Sequence, residues 1–213
     1  MKLIIFDLDG TLVNTVIDLN AGINYALKKN GFPTKRVEQT SKAIGNGIAI
    51  TIARSLPKDV TDEAKARVLK DFREYYKDHY LDNSTIYPGM INVLKRLKEQ
   101  GHKLAVATNK LDEIAKQMIN TLYPNFFDYV QGDIPELPKK PDPYLLKTVI
   151  SKFDVDNSEV IYVGDSEVDV LTAKNAGVKV ILADYGYHHD EEFYKENSGH
   201  HIKHPNELLD VIE

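Results

Sequence analysis

Short apolar runs recur along the chain, each ending near a small or acidic residue. Leu3-Ile4-Ile5-Phe6, Leu104-Ala105-Val106-Ala107, Val160-Ile161-Tyr162-Val163 and Val178-Lys179-Val180-Ile181-Leu182 have the length of buried strands. Their near-continuous apolarity predicts a parallel sheet covered on both faces. Helical patterns lie between them. Met90 to Gln100 puts Val93, Leu94 and Leu97 on one face and stops at Gly101, a natural C-cap. Leu111 to Leu122, Tyr144 to Phe153 after Pro143, and Val168 to Ala176 before Gly177 follow the same logic. Pro205 suits the first turn of a last helix through Leu208, Leu209 and Ile212. Strand and helix alternate, which predicts an α/β fold with a doubly wound, Rossmann-like parallel sheet.

Residues 14–83 break this rhythm. Leu19, Ile23, Ala26 and Leu27 share a helix face that Gly31 ends, and Ile48 to Leu56 is a second apolar stretch. Thr61-Asp62-Glu63 opens a third helix, carrying Val68, Phe72, Tyr75 and Tyr76, with a good cap and acidic first turn. The pattern predicts a small all-helical cap domain inserted after the first strand, with the core in residues 1–13 and 84–213. The chain would cross near Leu12 to Thr15 and Leu81 to Pro88. Tyr75, Tyr76 and Tyr80 are expected to pack within that insert.

Composition narrows the function classes. Of 213 residues, 42% are hydrophobic and 28% charged, the balance of an ordinary globular protein. The net charge of −5 disfavours a nucleic-acid partner, because phosphate backbones recruit clustered Lys and Arg. The absence of cysteine removes disulfides, thiolate zinc sites and thiol nucleophiles. The N-terminal apolar run is too short for a signal peptide, and no stretch approaches a membrane span. A cytoplasmic protein, monomeric or homodimeric, is the default expectation.

Four segments beyond predicted strands carry candidate chemistry. Asp7 and Asp9 are two apart after the first strand, so their side chains tend to point the same way. Paired carboxylates there are costly without a cation, and magnesium is the usual choice beside phosphate. Gly10 permits close backbone approach and Thr11 adds a hydroxyl. Thr108-Asn109 offers a hydroxyl and an amide to a phosphate oxygen. Lys140 is stiffened by Pro141 and Pro143, so its ammonium can be aimed. Gly164-Asp165 supplies a further acid, and Asp169 lies one helical turn on. Each segment alone also fits a polar turn or a helix cap. Together they place acid, hydroxyl, lysine and acid on one rim of the sheet. His188-His189, His200-His201 and His204 lie on two separate polar segments, which suits loops and an edge strand better than zinc.

In order and spacing these segments resemble the four motifs of the haloacid dehalogenase superfamily, phosphatase branch, over essentially the whole chain. Within it the chain is similar to the phosphoglycolate phosphatases. Ile44-Gly45-Asn46-Gly47 looks like their cap loop, and Asp184-Tyr185-Gly186-Tyr187 also looks like theirs. Asn14 departs from the pattern, standing where many members carry an acid. The resemblance implies a phosphatase of small phosphorylated metabolites. Asp7 would be the nucleophile and Asp9 the general acid and base. Mg2+ would be held by Asp7, the Asp9 carbonyl and Asp165. Gly10, Thr108, Asn109 and Lys140 would bind the phosphoryl group, with Asp169 and Thr11 behind them. Gly45, Asn46 and Gly47 would face the substrate. A dehalogenase needs no second carboxylate, so Asp9 counts against one. A phosphonate hydrolase would need a cap lysine for a Schiff base, and Lys28, Lys29, Lys35 and Lys42 read as surface charge. A sugar phosphomutase, a pyrophosphatase and a non-catalytic phosphate-binding module are the other readings.

Overall fold

The computed structural model describes residues 1–187 and 199–212. The chain divides into two compact units, residues 1–13 with 86–213, and residues 14–85. The first is built on a six-stranded sheet. Its strands are β1 (Leu3–Phe6), β4 (Lys103–Leu111), β5 (Tyr129–Asp133), β6 (Val160–Gly164), β7 (Lys179–Ala183) and β8 (His200–Ile202). β2 (Val13–Asn14) and β3 (Thr85–Ile86) form a separate two-stranded sheet where the chain passes between the units.

The large sheet runs β5-β4-β1-β6-β7-β8, and each neighbouring pair is parallel. β1 is central, with Phe6 opposite Val106 on one side and Val163 on the other. The chain builds outward from β1 to β4 and β5, then returns to add β6, β7 and β8. Beyond the strand ends at that reversal, open α/β sheets bind ligands.

All four residues of β1 are buried, because both its faces are covered. Leu3 and Ile5 meet Ala105, Ala107, Leu146, Val149, Tyr162 and Ala173 on one face. On the other, Phe6 packs edge-on to Phe127, which meets Tyr123 in the same way. Trimming one such side chain to Ala costs roughly 2–5 kcal/mol.

In residues 14–85 lie α1 (Val16–Lys29), α2 (Val37–Ser41), α3 (Ile48–Ser55) and α4 (Asp62–His79). Thr61 caps α4 by accepting from the Ala64 N–H. α1 and α4 pack together, and a Cβ at Gly22 would press on Phe72, so this glycine sets how closely they approach. Tyr75 stacks between Tyr25 and His79, and Tyr76 stacks on Phe72 and meets Tyr80 at a tilt, so these tyrosines pack within the insert. The remaining helices are α5 (Met90–Glu99), α6 (Asp112–Leu122), α7 (Tyr144–Ile150), α8 (Glu167–Ala176) and α9 (Leu208–Val211).

Three elements depart from the sequence pattern. β5 reads Tyr-Val-Gln-Gly-Asp, whose polar residues hide it. Gln131 is buried because its amide donates to Asp112 Oδ1. β4 runs past Ala107 through Thr108, Asn109 and Lys110, with its pairing shifted between Ala107 and Leu111. α2 is too short for periodicity to announce.

Candidate active site

The first site segment is a tight loop. Leu8 O accepts from the N–H of Thr11, Leu12 and Val13, and Gly10 N–H donates to Val13 O. Gly10 takes φ +87°, the left-handed region that favours glycine. A Cβ there would collide with the Asp165 carboxyl, so the close approach Gly10 permits is to that side chain. Asp7 is buried at the end of β1, and its N–H donates to Val163 O at 2.8 Å.

Lys140 sits among acids. Its Nζ donates to Asp169 Oδ1 at 2.7 Å and to the Tyr162 hydroxyl at 2.8 Å, and lies 3.0 Å from Asp7 Oδ1. That last contact misses hydrogen-bonding angles, so Asp7 Oδ1 is a buried acceptor without a hydrogen bond. Asp169 is fully buried and doubly used. Oδ1 meets Lys140 and Tyr162, while Oδ2 accepts from the Ser166 N–H and hydroxyl in a capping box at the start of α8. Gly164 lets this happen, since a Cβ there would overlap Asp169. Tyr162 has one hydroxyl proton for two acceptors at 2.9 Å, Asp169 Oδ1 and the Ala107 carbonyl.

Asp165 Oδ2 accepts from the Tyr187 N–H at 2.7 Å, and Oδ1 lies 3.5 Å from the Thr11 hydroxyl. Gly186 presses on Asp165 and on the Gly10 carbonyl, leaving no room for a Cβ. Thr108 is buried, and its Oγ1 accepts from the Lys110 N–H. Asn109 differs from the expectation of a phosphate-facing amide. Its Oδ1 accepts from Lys140 N–H and its Nδ2 donates to Lys140 O, so the amide brackets the lysine's main chain. Asp9 turns to Lys110, whose Nζ meets both carboxylate oxygens at 2.9 and 3.2 Å.

The charges do not balance. Asp7, Asp165 and Asp169 bring carboxylate oxygens within 4.8 Å of one another. Among the described residues Lys140 is the ammonium in contact with Asp7 and Asp169, so three carboxyl groups crowd about one lysine. Burial drives the Asp7 carboxyl from 3.8 up to about 6; Lys140 pulls it down, and Asp169 and Asp9 push it up. Burial, then Asp169 and Asp7, lift Asp165 well above the carboxylate range. Burial also opposes ionisation of Asp169, but Lys140 and the hydrogen bonds outweigh it and hold that group low. Burial alone would lower Lys140, yet Asp169 and Asp7 hold its ammonium above the ordinary lysine value. All-oxygen donors, an orphaned buried acceptor and three crowded carboxyl groups fit a hard divalent cation.

The expected cap loop belongs to the second unit. Gly45, Asn46 and Gly47 form the turn into α3, where Gly45 and Gly47 have positive φ. Arg54 closes this turn, donating to Asn46 Oδ1 and Ala43 O. His200 and His201 are on β8, with His201 paired to Asp184, and His204 precedes a 3-10 turn. His188 and His189 lie outside the described residues. No helix among the described residues is long and apolar enough to cross a membrane.

Tyr162 and Lys110 have no assigned role in the sequence motifs, and Gly186 stands there only within the resembling Asp184-Tyr185-Gly186-Tyr187 segment. A tyrosine inside an apolar strand is the one available signal, since a buried hydroxyl needs a partner.

The haloacid dehalogenase-like hydrolase family matches residues 4–183. A phosphoglycolate phosphatase from Aliivibrio fischeri is 35% identical over 199 residues, covering 90% of this chain and 87% of its own. That of Vibrio parahaemolyticus is 34% identical, covering 100% and 96%. The crystal structure of a predicted phosphoglycolate phosphatase from Haemophilus somnus superposes with TM-score 0.90 at 30% identity, covering 100% of this chain and 98% of the other.

Proposed function

The chain belongs to the haloacid dehalogenase-like hydrolase family, as a hydrolase of phosphoric monoesters, and we propose that it is a magnesium-dependent phosphatase acting through an aspartyl-phosphate on Asp7. 2-Phosphoglycolate is the best single substrate, on the strength of the relatives' names. The observation that carries the mechanism is the Asp7 carboxylate, buried at the end of β1 with one oxygen lacking a hydrogen bond and Lys140 beside it.

Asp7 attacks phosphorus in line, and the bond from phosphorus to the leaving oxygen breaks. The leaving oxygen takes the proton of the Asp9 carboxyl, which becomes a carboxylate. Asp9 then takes a proton from water as the water oxygen attacks phosphorus. Inorganic phosphate leaves and Asp7 is restored. Lys140 and Thr108 hold phosphoryl oxygens, and Asn109 keeps the Lys140 main chain in place. Asp169 aims Lys140 and Thr11 supports Asp165. Asp7, the Asp9 carbonyl and Asp165 would hold magnesium, which when bound neutralises phosphoryl oxygens and orients the attack. Residues 14–85 serve as the cap, and the Gly45-Asn46-Gly47 turn contributes to substrate choice.

Two measurements decide this. A phosphometabolite screen with magnesium, ranked by kcat/KM, should place 2-phosphoglycolate first; a different best ester replaces the substrate and leaves the chemistry standing. Acid quench during turnover followed by peptide mass spectrometry should find phosphate on Asp7. Phosphate on no residue, with turnover proceeding, would sink the covalent route.

A further inference from the structure

Lys110 is a second buried lysine at the rim, and the phosphate-holding group does not use it. Its side chain is 5% exposed. It ends the irregular stretch of β4, and its own N–H donates to Thr108 Oγ1. The ammonium therefore sits on a stem with little freedom. It meets Asp9 Oδ1 at 2.9 Å and Oδ2 at 3.2 Å. A cation touching both oxygens restrains both torsions of the aspartate, because rotating either oxygen away stretches a charged contact. Asp9 itself remains 15% exposed, so it can reach a bound leaving group while Lys110 grips it. The two lysines divide the work: Lys140 faces Asp7 and Asp169, and Lys110 faces Asp9.

We propose that Lys110 is a positioning residue for Asp9, holding its carboxyl group in one orientation before substrate arrives: the nearer oxygen, Oδ1, keeps the lysine contact while the farther, Oδ2, carries the proton given to the leaving oxygen. This rests on the reading of Asp9 as general acid and base. A proton donor must lie within hydrogen-bond reach of the oxygen it serves, so a preset orientation speeds the step that needs the proton. That need depends on the leaving group. An alkoxide is a strong base and departs poorly unless protonated, whereas 4-nitrophenolate departs unaided.

The test is single-turnover release of the leaving group, which isolates attack by Asp7. The two substrates are 4-nitrophenyl phosphate and the alkyl phosphate with the highest kcat/KM. Lys110→Met keeps the length of the stem without the ammonium. It should slow alkyl release by about 10²-fold and 4-nitrophenolate release by less than about tenfold. Lys110→Arg, which can grip a carboxylate with two N–H groups, should recover most of the alkyl rate. If the methionine variant does not fold, Lys110→Gln reads the same ratio. Equal losses on both substrates, or no loss, overturn the proposal. Loss of folding stability alone would slow both substrates alike, so a structural role does not move the ratio. Asp9→Asn separates the two levels. Should it keep the wild-type alkyl rate, the acid and base reading falls. Should it lose alkyl release selectively while the Lys110 variants do not, only the assignment of Lys110 falls.

Discussion

Two buried aspartates show how one residue type comes to opposite uses. Asp18, in the first turn of α1, is 1% exposed. It accepts from the Asn83 N–H and amide and from the Ser84 N–H and hydroxyl, at 2.7 to 3.0 Å. Every contact is a neutral donor from the same unit, so the charge is solvated by the protein itself. Asp7 is nearly as buried, yet one oxygen has no hydrogen bond and two more carboxylates crowd it. A satisfied buried carboxylate ties structure together. An unsatisfied one among like charges costs stability and leaves a site for a cation and an electrophile.

Exchanging each carboxylate for an amide should separate these roles most sharply. Asp7→Asn should lower turnover by about 10³–10⁶-fold while leaving the midpoint of thermal unfolding unchanged or higher, since it removes one crowded charge. Asp18→Asn should cost roughly 1–3 kcal/mol in denaturant unfolding, because the new NH2 faces donors and cannot accept from them. If Asp7→Asn unfolds the protein and Asp18→Asn does not, the contrast is wrong.

A smaller effect should follow from crowding Asp165 without changing its chemistry. Gly186→Ala pushes a methyl group against Asp165 and the Gly10 carbonyl. Magnesium affinity measured by calorimetry should fall by about 10–100-fold, the scale of losing a ligand's supporting partner. Unchanged affinity would mean that this turn does not orient Asp165.

The smallest effect is a dependence on pH. The folded, metal-free protein holds the Asp7 proton up to about 6, while the unfolded chain releases it near 3.8. Its folded pKa is raised, so this group's contribution is fully present below about pH 4. It is lost as pH rises through about 6. A divalent cation offsets the resulting charge. At one fixed magnesium concentration, magnesium should therefore raise the unfolding temperature more at pH 7.5 than at pH 5; a hundredfold excess over Kd at pH 7.5 stabilises the fold by about 2.7 kcal/mol. An equal shift at both values would remove the charge-imbalance explanation.

Much of the fold could be read from periodicity. β1, β6 and β7 are apolar runs, and Gly101 and Gly177 follow α5 and α8. β5 could not, because Gln131 and Asp133 break its apolar signal, and the two histidines left β8 open between a loop and an edge strand. The candidate site was legible as motif spacing, which singled out Asp7, Asp9, Lys140, Asp165 and Asp169. It did not reveal that the Asn109 amide holds Lys140, or that Lys110 holds Asp9, because those partners are 31 and 101 positions away.

The sequence by itself determined which stretches become strands and helices, and which polar residues stand at strand ends, because both depend on neighbours a few positions apart. Tertiary structure alone decided which buried carboxylate is satisfied. Asp18 meets its donors 65 and 66 positions on, whereas Asp7 meets two further acids and one lysine. Charge compensation depends on distance in space, and only the folded chain sets that distance.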